Sequence, residues 1–177
     1  MILAFDTYYF ENKAKTVCLA FDSWNETDKY SIFVETLEDI NEYVPGEFYK
    51  REMPCILSLF RKINIPNIET IIVDGFVFLD DHNKPGLGGH LYEALNCKIP
   101  VIGVAKSNFA TINLNKRALC RGNSKNPLYI TSIGINLDIA TENIRKMSGN
   151  YRMPTLLKEL DRLTKMDKRD LSVHFDI

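Results

Sequence analysis

The chain has 177 residues, of which 45% are apolar and 25% charged, and its formal net charge is −1. This composition is typical of a globular protein, and the length favours a single domain over residues 1–177. From Val104 onward there are 13 basic and seven acidic residues, against nine and 16 in the first 103. This asymmetry indicates either an acidic, cation-holding part beside a basic, phosphate-facing part, or chance variation on a solvated surface.

The sequence predicts a protein of the cytoplasm that does not engage a membrane. No stretch approaches the roughly 18 apolar residues that a spanning helix needs. The N-terminal MILAFDTYYF lacks a basic region and contains Asp6, so it predicts a strand rather than a signal peptide. No CxxC pair occurs, and all four cysteines lie in or beside apolar runs, which predicts reduced, buried thiols: Cys18, Cys55, Cys97 and Cys120. We expect a monomer without a structural zinc site.

The first third of the chain is rich in β-forming residues. Strands are predicted over residues 2–9, 14–23 and 29–37, separated by short polar turns. Connections of this length join antiparallel neighbours, so these segments predict a three-stranded meander.

A helix is predicted to follow, with Pro54 in its first turn, where a missing N–H is tolerated. Apolar residues recur at spacings of three, four and seven, which defines one buried face: Ile56, Leu59, Phe60 and Ile63. Glu52 lies four residues before Ile56. Its carboxylate is therefore expected on this face or at its mouth.

Strands and helices then alternate. Strands are predicted over residues 70–73, 99–104 and 127–135, and helices over 86–95, 137–147 and 155–164. A meander followed by such units predicts an α/β fold with a mixed sheet, in which parallel strands follow the meander and helices flank the sheet. The charged tail, about residues 166–177, is expected to fray.

Three acids are candidates for a metal site. Asp6 lies in the first predicted strand, and Asp74 ends the fourth. If these strands are parallel neighbours, the backbones lie about 4.8 Å apart and the carboxylates repel unless a cation lies between them. With Glu52, they form an oxygen ligand set suited to Mg²⁺ or Mn²⁺, ions that activate water for phosphodiester hydrolysis. Alternatively, each acid is a structural carboxylate satisfied by backbone N–H groups.

Several sequence blocks, in order, resemble the endonuclease V family of metal-dependent, inosine-directed nucleases. They are FDTYY, YVPGEFYKRE, VDG with PGLGGHLYEAL, IPVIGVAKS, and the closing PLYITSIG and YRMP. The resemblance covers nearly the whole chain and implies an RNase H-like fold. It also implies that Asp6, Glu52 and Asp74 hold Mg²⁺ and that Lys106 assists at the scissile phosphate.

The same resemblance implies how the substrate is bound. A turn would act as a wedge beside the target base: Tyr43, Val44, Pro45 and Gly46. Glycines would line the base pocket: Gly75, Gly86, Gly88 and Gly89. Both assignments suit chemistry on a base that must first leave its stack. Without the family, the turn is an ordinary Pro-Gly turn and the glycines a flexible helix entry.

The chain departs from the family in two segments. A Gly-His pair usually follows PLYI, but here Thr131–Asn136 contains no histidine, so Asn136 and Asp138 are candidate substitutes. The His-rich stretch after the DG motif is replaced by Phe76–Pro85, whose His82 is a weaker metal candidate.

The expected function is a Mg²⁺-dependent endonuclease that cuts DNA or RNA near a deaminated base. The alternatives are a non-catalytic nucleic-acid-binding relative and a metal-dependent nuclease with another substrate. A basic segment would either grip phosphates or remain a solvated loop: Lys116, Arg117, Arg121 and Lys125.

Overall fold

A computed structural model describes residues 1–38, 48–109 and 111–166. Its first three strands form the predicted antiparallel meander: β1 (Ile2–Phe10), β2 (Lys13–Phe21) and β3 (Ser31–Glu38). The β1–β2 turn contains Glu11, which adopts a positive φ of 51°. The predicted wedge, residues 43–46, and the tail after residue 166 lie outside the described residues.

The remaining elements follow the predicted alternation. In chain order they are α1 (Phe48–Lys62), β4 (Thr70–Asp74), α2 (Leu87–Ala94), β5 (Val101–Ala105), β6 (Arg117–Leu119), β7 (Leu128–Ile133), α3 (Leu137–Lys146) and α4 (Thr155–Lys165). Among the elements of the described ranges, only β6 was not predicted, because three residues are too few to show an alternating pattern. None of the helices in the described ranges is long and apolar enough to cross a membrane.

The strands form one seven-stranded sheet in the order β3-β2-β1-β4-β5-β7-β6. The pairs β1–β4 and β4–β5 are parallel, whereas the outer pairs are antiparallel. The prediction of a mixed α/β sheet is confirmed. The parallel strands lie at the centre, so the ends of β1, β4 and β5 point toward the same edge of the sheet.

Helices cover both faces of the sheet. Even-numbered residues of β1 and β4, such as Ala4 and Ile72, pack against α3 and α4, whereas Leu3, Phe5 and Val73 pack against α1 and α2. This alternation follows from the period of two in a strand. It also determines which helix layer each acid at the strand ends faces.

The predicted start of α1 is wrong. The helix begins at Phe48, so Pro54 lies inside it rather than in its first turn. The missing N–H costs one helical hydrogen bond, but burial of Cys55, Ile56 and Leu59 on the inner face compensates for it. Glu52 thereby lies within the helix, on the buried face that its spacing predicts.

The prediction for the cysteines is confirmed in part. All four are free thiols, and Cys18 and Cys55 are buried. Cys97 and Cys120 are exposed, contrary to the prediction. Each of these two lies beside an apolar run, where sequence alone does not distinguish the last buried residue from the first exposed one.

Candidate active site

Asp6 and Asp74 lie side by side on adjacent parallel strands. The β1–β4 register pairs Phe5 with Val73, so its continuation places Asp6 beside Asp74. Both are even-numbered, and strand alternation directs them to the α4 side of the sheet. The expectation that the two strands are parallel neighbours is therefore confirmed.

Glu52 approaches from the opposite helix layer. It is 5% exposed on α1, although the neighbouring acids belong to the other face of the sheet. All three acids line one cavity of about 550 Å³ at the sheet edge, together with Lys106; it is here called the acidic cavity. Folding thus brings three remote segments of the chain to one cavity.

Burial opposes ionisation of all three acids, most strongly of Glu52 and Asp6. It raises the pKa of Glu52 to about 8, and the charges of Asp6 and Asp74 add to the effect, while the Thr7 and Tyr9 hydroxyl groups oppose it. The pKa of Asp6 is raised to about 6, first by burial and then by Asp74. The backbone N–H of Thr7 donates to Asp6 Oδ1 at 2.9 Å and partly offsets this rise.

Asp74 occupies a recess at the end of β4. Although 46% of its side-chain surface is accessible, partial burial raises the pKa of its carboxyl, and Lys106 opposes that rise. Lys106 Nζ lies 3.7 Å from Asp74 Oδ2. Burial acts to lower the pKa of Lys106, but Asp74 and Asp161 outweigh it and raise the pKa, so the ammonium is retained.

A fourth carboxylate, Asp161 on α4, was missed by the sequence analysis. Its Oδ1 accepts from Lys106 Nζ at 3.3 Å, and its Oδ2 accepts from Lys165 at 2.7 Å. Asp161 also lines a small cavity with Asp6, Asp74 and Lys106. The signal was present in the sequence, because Asp161 lies four residues after buried Leu157 and thus on the inner face of the helix.

The chemistry of this ligand set fits a hard divalent cation. Asp6, Glu52 and Asp74 supply carboxylate oxygens, and their pKa values are raised first by burial and, for Asp6 and Glu52, also by neighbouring carboxylates. Within the described ranges, no three Asp, Glu, His or Cys side chains are already arranged to hold a metal ion. Coordination would therefore need side-chain adjustment.

The predicted base-pocket glycines lie on both sides of the Phe76–Val77 segment. Gly75 has a φ of +141°, in the region that favours glycine, and lines the acidic cavity. A Cβ at Gly86 would lie 2.6 Å from the Phe76 carbonyl oxygen. Buried Gly86, Gly88 and Gly89 thus permit close chain packing, and their role in reading a base stays a prediction.

The candidate substitutes for the family's histidine have other contacts. Asn136 caps α3, where its side chain accepts from the backbone N–H groups of Asp138 and Ile139. Asp138 pairs with Arg117 at 2.7 Å. His82 lies exposed in the loop after β4. None of these three candidates lines the acidic cavity.

The basic segment after β5 serves partly to hold the fold together. Arg121 is 6% exposed, and its guanidinium donates to four backbone carbonyl groups before α4: Met147, Gly149, Tyr151 and Arg152. Arg121 is therefore unavailable to grip phosphate, contrary to one expectation for this segment.

The strand order and the paired aspartates on adjacent parallel strands define an RNase H-like α/β protein. The family model for Endonuclease V matches residues 1–162. The chain belongs to the endonuclease V family. It is 30% identical over 142 residues to the endonuclease V of Nostoc punctiforme, an alignment that covers 68% of this chain and 62% of that protein. The chain thus spans under two thirds of the length of this relative.

Solved structures agree with this fold. The endonuclease V of Ciona intestinalis, in complex with DNA containing an inosine followed by a ribo-adenosine, has a TM-score of 0.77 at 16% identity, covering 97% of this chain and 86% of that one. The endonuclease V of Bacillus subtilis has a TM-score of 0.72 at 18% identity, covering 98% and 82%. At these identities, the structural likeness establishes the fold.

Proposed function

We propose that the protein is a Mg²⁺-dependent endonuclease that hydrolyses a phosphodiester near a deaminated base in DNA or RNA. The observation that carries this proposal is the convergence of Asp6, Glu52 and Asp74 on one cavity beside Lys106. Family membership supports the nuclease class, and the inosine-containing DNA bound to the Ciona relative supports the choice of base.

The acids would hold the metal, with Mn²⁺ as a substitute for Mg²⁺. When bound, such an ion supplies Lewis acidity at the phosphate and an activated water. Asp6 and Glu52 must both be ionised to bind it, so metal binding releases the proton that Asp6 holds below about pH 6 and the one that Glu52 holds below about pH 8.

Lys106 supplies the positive charge of the site. Its ammonium follows the buried strand β5 and lies within reach of both the cavity and the end of β4. It would hold a non-bridging phosphate oxygen as negative charge develops there in the transition state. Asp161 would position it, because the two side chains form an ion pair.

The test is incubation of the purified protein with matched oligonucleotides that contain inosine or guanine. Single-stranded and duplex DNA and RNA are each supplied with Mg²⁺ or Mn²⁺. We expect cleavage near inosine, a loss of at least about a hundredfold in Asp74→Asn, and no change in Glu142→Gln, an exposed acid on α3. Cleavage that persists in Asp74→Ala would refute the metal triad, and cleavage of other substrates alone would refute the inosine assignment.

A second candidate is a relative that binds nucleic acid without cutting it. The Lys106–Asp74 contact favours it, because Lys106 partly neutralises a proposed metal ligand. Tight binding of the inosine oligonucleotide with no product under either metal would select this candidate over the nuclease.

A further inference from the structure

Two aromatic side chains extend the proposed active site along β1. Asp6, Tyr8 and Phe10 alternate onto the same face of the strand, and the strand rise places Tyr8 about 7 Å and Phe10 about 13 Å beyond Asp6. β4 pairs with β1 only as far as Phe5. The part of β1 that carries both rings therefore projects past the central strands.

These two rings are exposed and form an ordered pair. Tyr8 is 40% and Phe10 37% exposed, and their ring centroids lie 6.2 Å apart with planes inclined by 16°. Exposed aromatic rings at a sheet edge can offer their π-faces to a ligand. Such faces accept nucleic-acid bases of any sequence, because every base has a π-face.

The rings line a groove of about 500 Å³, here called the β1 groove. Its lining comprises Tyr8, Phe10, Lys13, Lys15, Thr36, Glu38, Thr164, Lys165 and Met166. Tyr8 also lines the acidic cavity with Asp6, Glu52 and Asp74. The β1 groove thus adjoins the proposed metal site, and Tyr8 lines both.

The lining of the β1 groove carries a small excess of positive residues. Three lysines and one glutamate line it. Lys13 pairs with Glu38 at 2.7 Å on the strand edge, and Lys165 pairs with Asp161. Buried Lys15 donates to the Leu163 and Met166 carbonyl groups at the end of α4, which fixes the floor of the groove. Lys13 and Lys165 line the groove with the rings, and a bound phosphate would compete with Glu38 and Asp161 for them.

We propose that the β1 groove binds the unpaired strand that flanks the cut site, with successive bases stacked on Tyr8 and Phe10. This inference rests on the proposed function for the position of the cut, but not for the binding itself. It predicts a preference for substrates that are single-stranded on one side of the reacting phosphate, because paired bases do not expose their faces to the rings.

The first test measures binding in EDTA, so that no metal-dependent cleavage intervenes. Fluorescence anisotropy gives Kd for labelled oligonucleotides extended to either side of one inosine, as single strands and as duplexes. We expect the double variant Tyr8→Ala/Phe10→Ala to raise Kd about tenfold or more for one single-stranded extension and little for the duplex. Tyr8→Phe/Phe10→Tyr keeps both rings and should bind like the wild type, as should Tyr151→Ala, an exposed tyrosine outside both cavities.

A second test uses the unaltered chain. An oligonucleotide with 5-iodouracil at successive positions is irradiated, and the crosslinked peptide is identified by mass spectrometry. We expect crosslinks at Tyr8 or Phe10 from positions on one side of the inosine. Because this test needs no substitution, it stands even if the alanine variant folds poorly.

Equal Kd values for the alanine variant and the wild type, with no crosslink in β1, would overturn the inference. If the wild type sediments as a dimer and the alanine variant as a monomer, with Kd unchanged, the β1 groove would be the contact with a second copy of the chain. That result would also overturn the inference. Binding that depends on both rings without cleavage under any metal would overturn the proposed function while leaving this inference intact.

Discussion

Lys106 and Asp161 are 55 positions apart in the chain, and their side chains form an ion pair with Nζ and Oδ1 3.3 Å apart. The contact joins the end of β5 to α4. It places the ammonium of Lys106 between two carboxylates, because Asp74 lies on its other side at 3.7 Å. The position and charge of Lys106 therefore depend on a helix near the end of the described chain.

Removing the negative charge of Asp161 should change both the position and the pKa of Lys106. Since Asp161 raises the pKa of Lys106, Asp161→Asn should lower that pKa. We also expect a fall in kcat of about tenfold or more, because Lys106 is less precisely held. NMR titration of the lysine side chains of the metal-free protein from pH 8 to 12 measures the pKa of Lys106, whose ordinary value of 10.5 is already raised, and steady-state kinetics at neutral pH measure kcat. Glu142→Gln, an exposed acid on α3, serves as the control; an unchanged pKa of Lys106 in Asp161→Asn would contradict the assigned role.

Metal affinity should rise with pH. Asp6 and Glu52 have pKa values raised to about 6 and about 8, and both must lose protons before they bind a cation. Isothermal titration calorimetry should show tighter Mg²⁺ binding from pH 6 to pH 8. Repeating the titrations in buffers of different ionisation enthalpy counts the protons released, which should decrease as pH rises. A constant proton release near zero across this range would count against the two ligands.

The stability of the metal-free protein should show the opposite trend. The folded-state pKa of Glu52 is raised to about 8 from 4.5, so between these values the native state holds a proton that the unfolded chain has lost. The stabilisation from this group is complete below about pH 4.5 and is lost as pH rises through 8. At pH 8.5 in EDTA, Glu52→Gln should increase the free energy of unfolding by at least about 1 kcal/mol, given about 1.4 kcal/mol per unit of pKa shift. Urea unfolding measures it, with Glu142→Gln as the control.

A substitution of Pro54 tests at which residue α1 begins. Because the residue is exposed and lies inside the helix, Pro54→Ala restores the backbone N–H that a helix interior requires. We expect the free energy of unfolding to increase by about 1–2 kcal/mol, after the opposing loss of rigidity in the unfolded chain. Urea unfolding checks this. No gain would indicate that the helix begins near Pro54 instead.

Arg121 should stabilise the segment of the chain that leads into α4. Arg121→Met removes a buried guanidinium that satisfies four backbone carbonyl groups. We expect a loss of about 3 kcal/mol in the free energy of unfolding, because hydrogen bonds to charged groups are among the strongest and the carbonyl groups lose their donors. Lys125→Met, in the exposed part of the same segment, should change it little. A similar small effect in both variants would contradict this structural role.

The sequence predicted the helices and strands whose apolar residues recur at a regular spacing. Strand alternation and helical spacing located every element except β6, and the period of two places Asp6 and Asp74 on one face. The start of α1 was not predictable from Pro54 alone, since tertiary burial compensates for a missing hydrogen bond. Asp161 was overlooked because an acid on a helix is usually solvated, and only the packing of α4 shows that it meets Lys106.

Glu52 reaches the acidic cavity from the helix layer on one face of the sheet. Asp161 lies beside this cavity and comes from the helix layer on the other face. Neither helix alone completes the arrangement. A nascent chain that has formed its sheet but not yet docked its last helix carries an unfinished site. Assembly of the four carboxylates around Lys106 therefore requires both helix layers to be docked on the sheet.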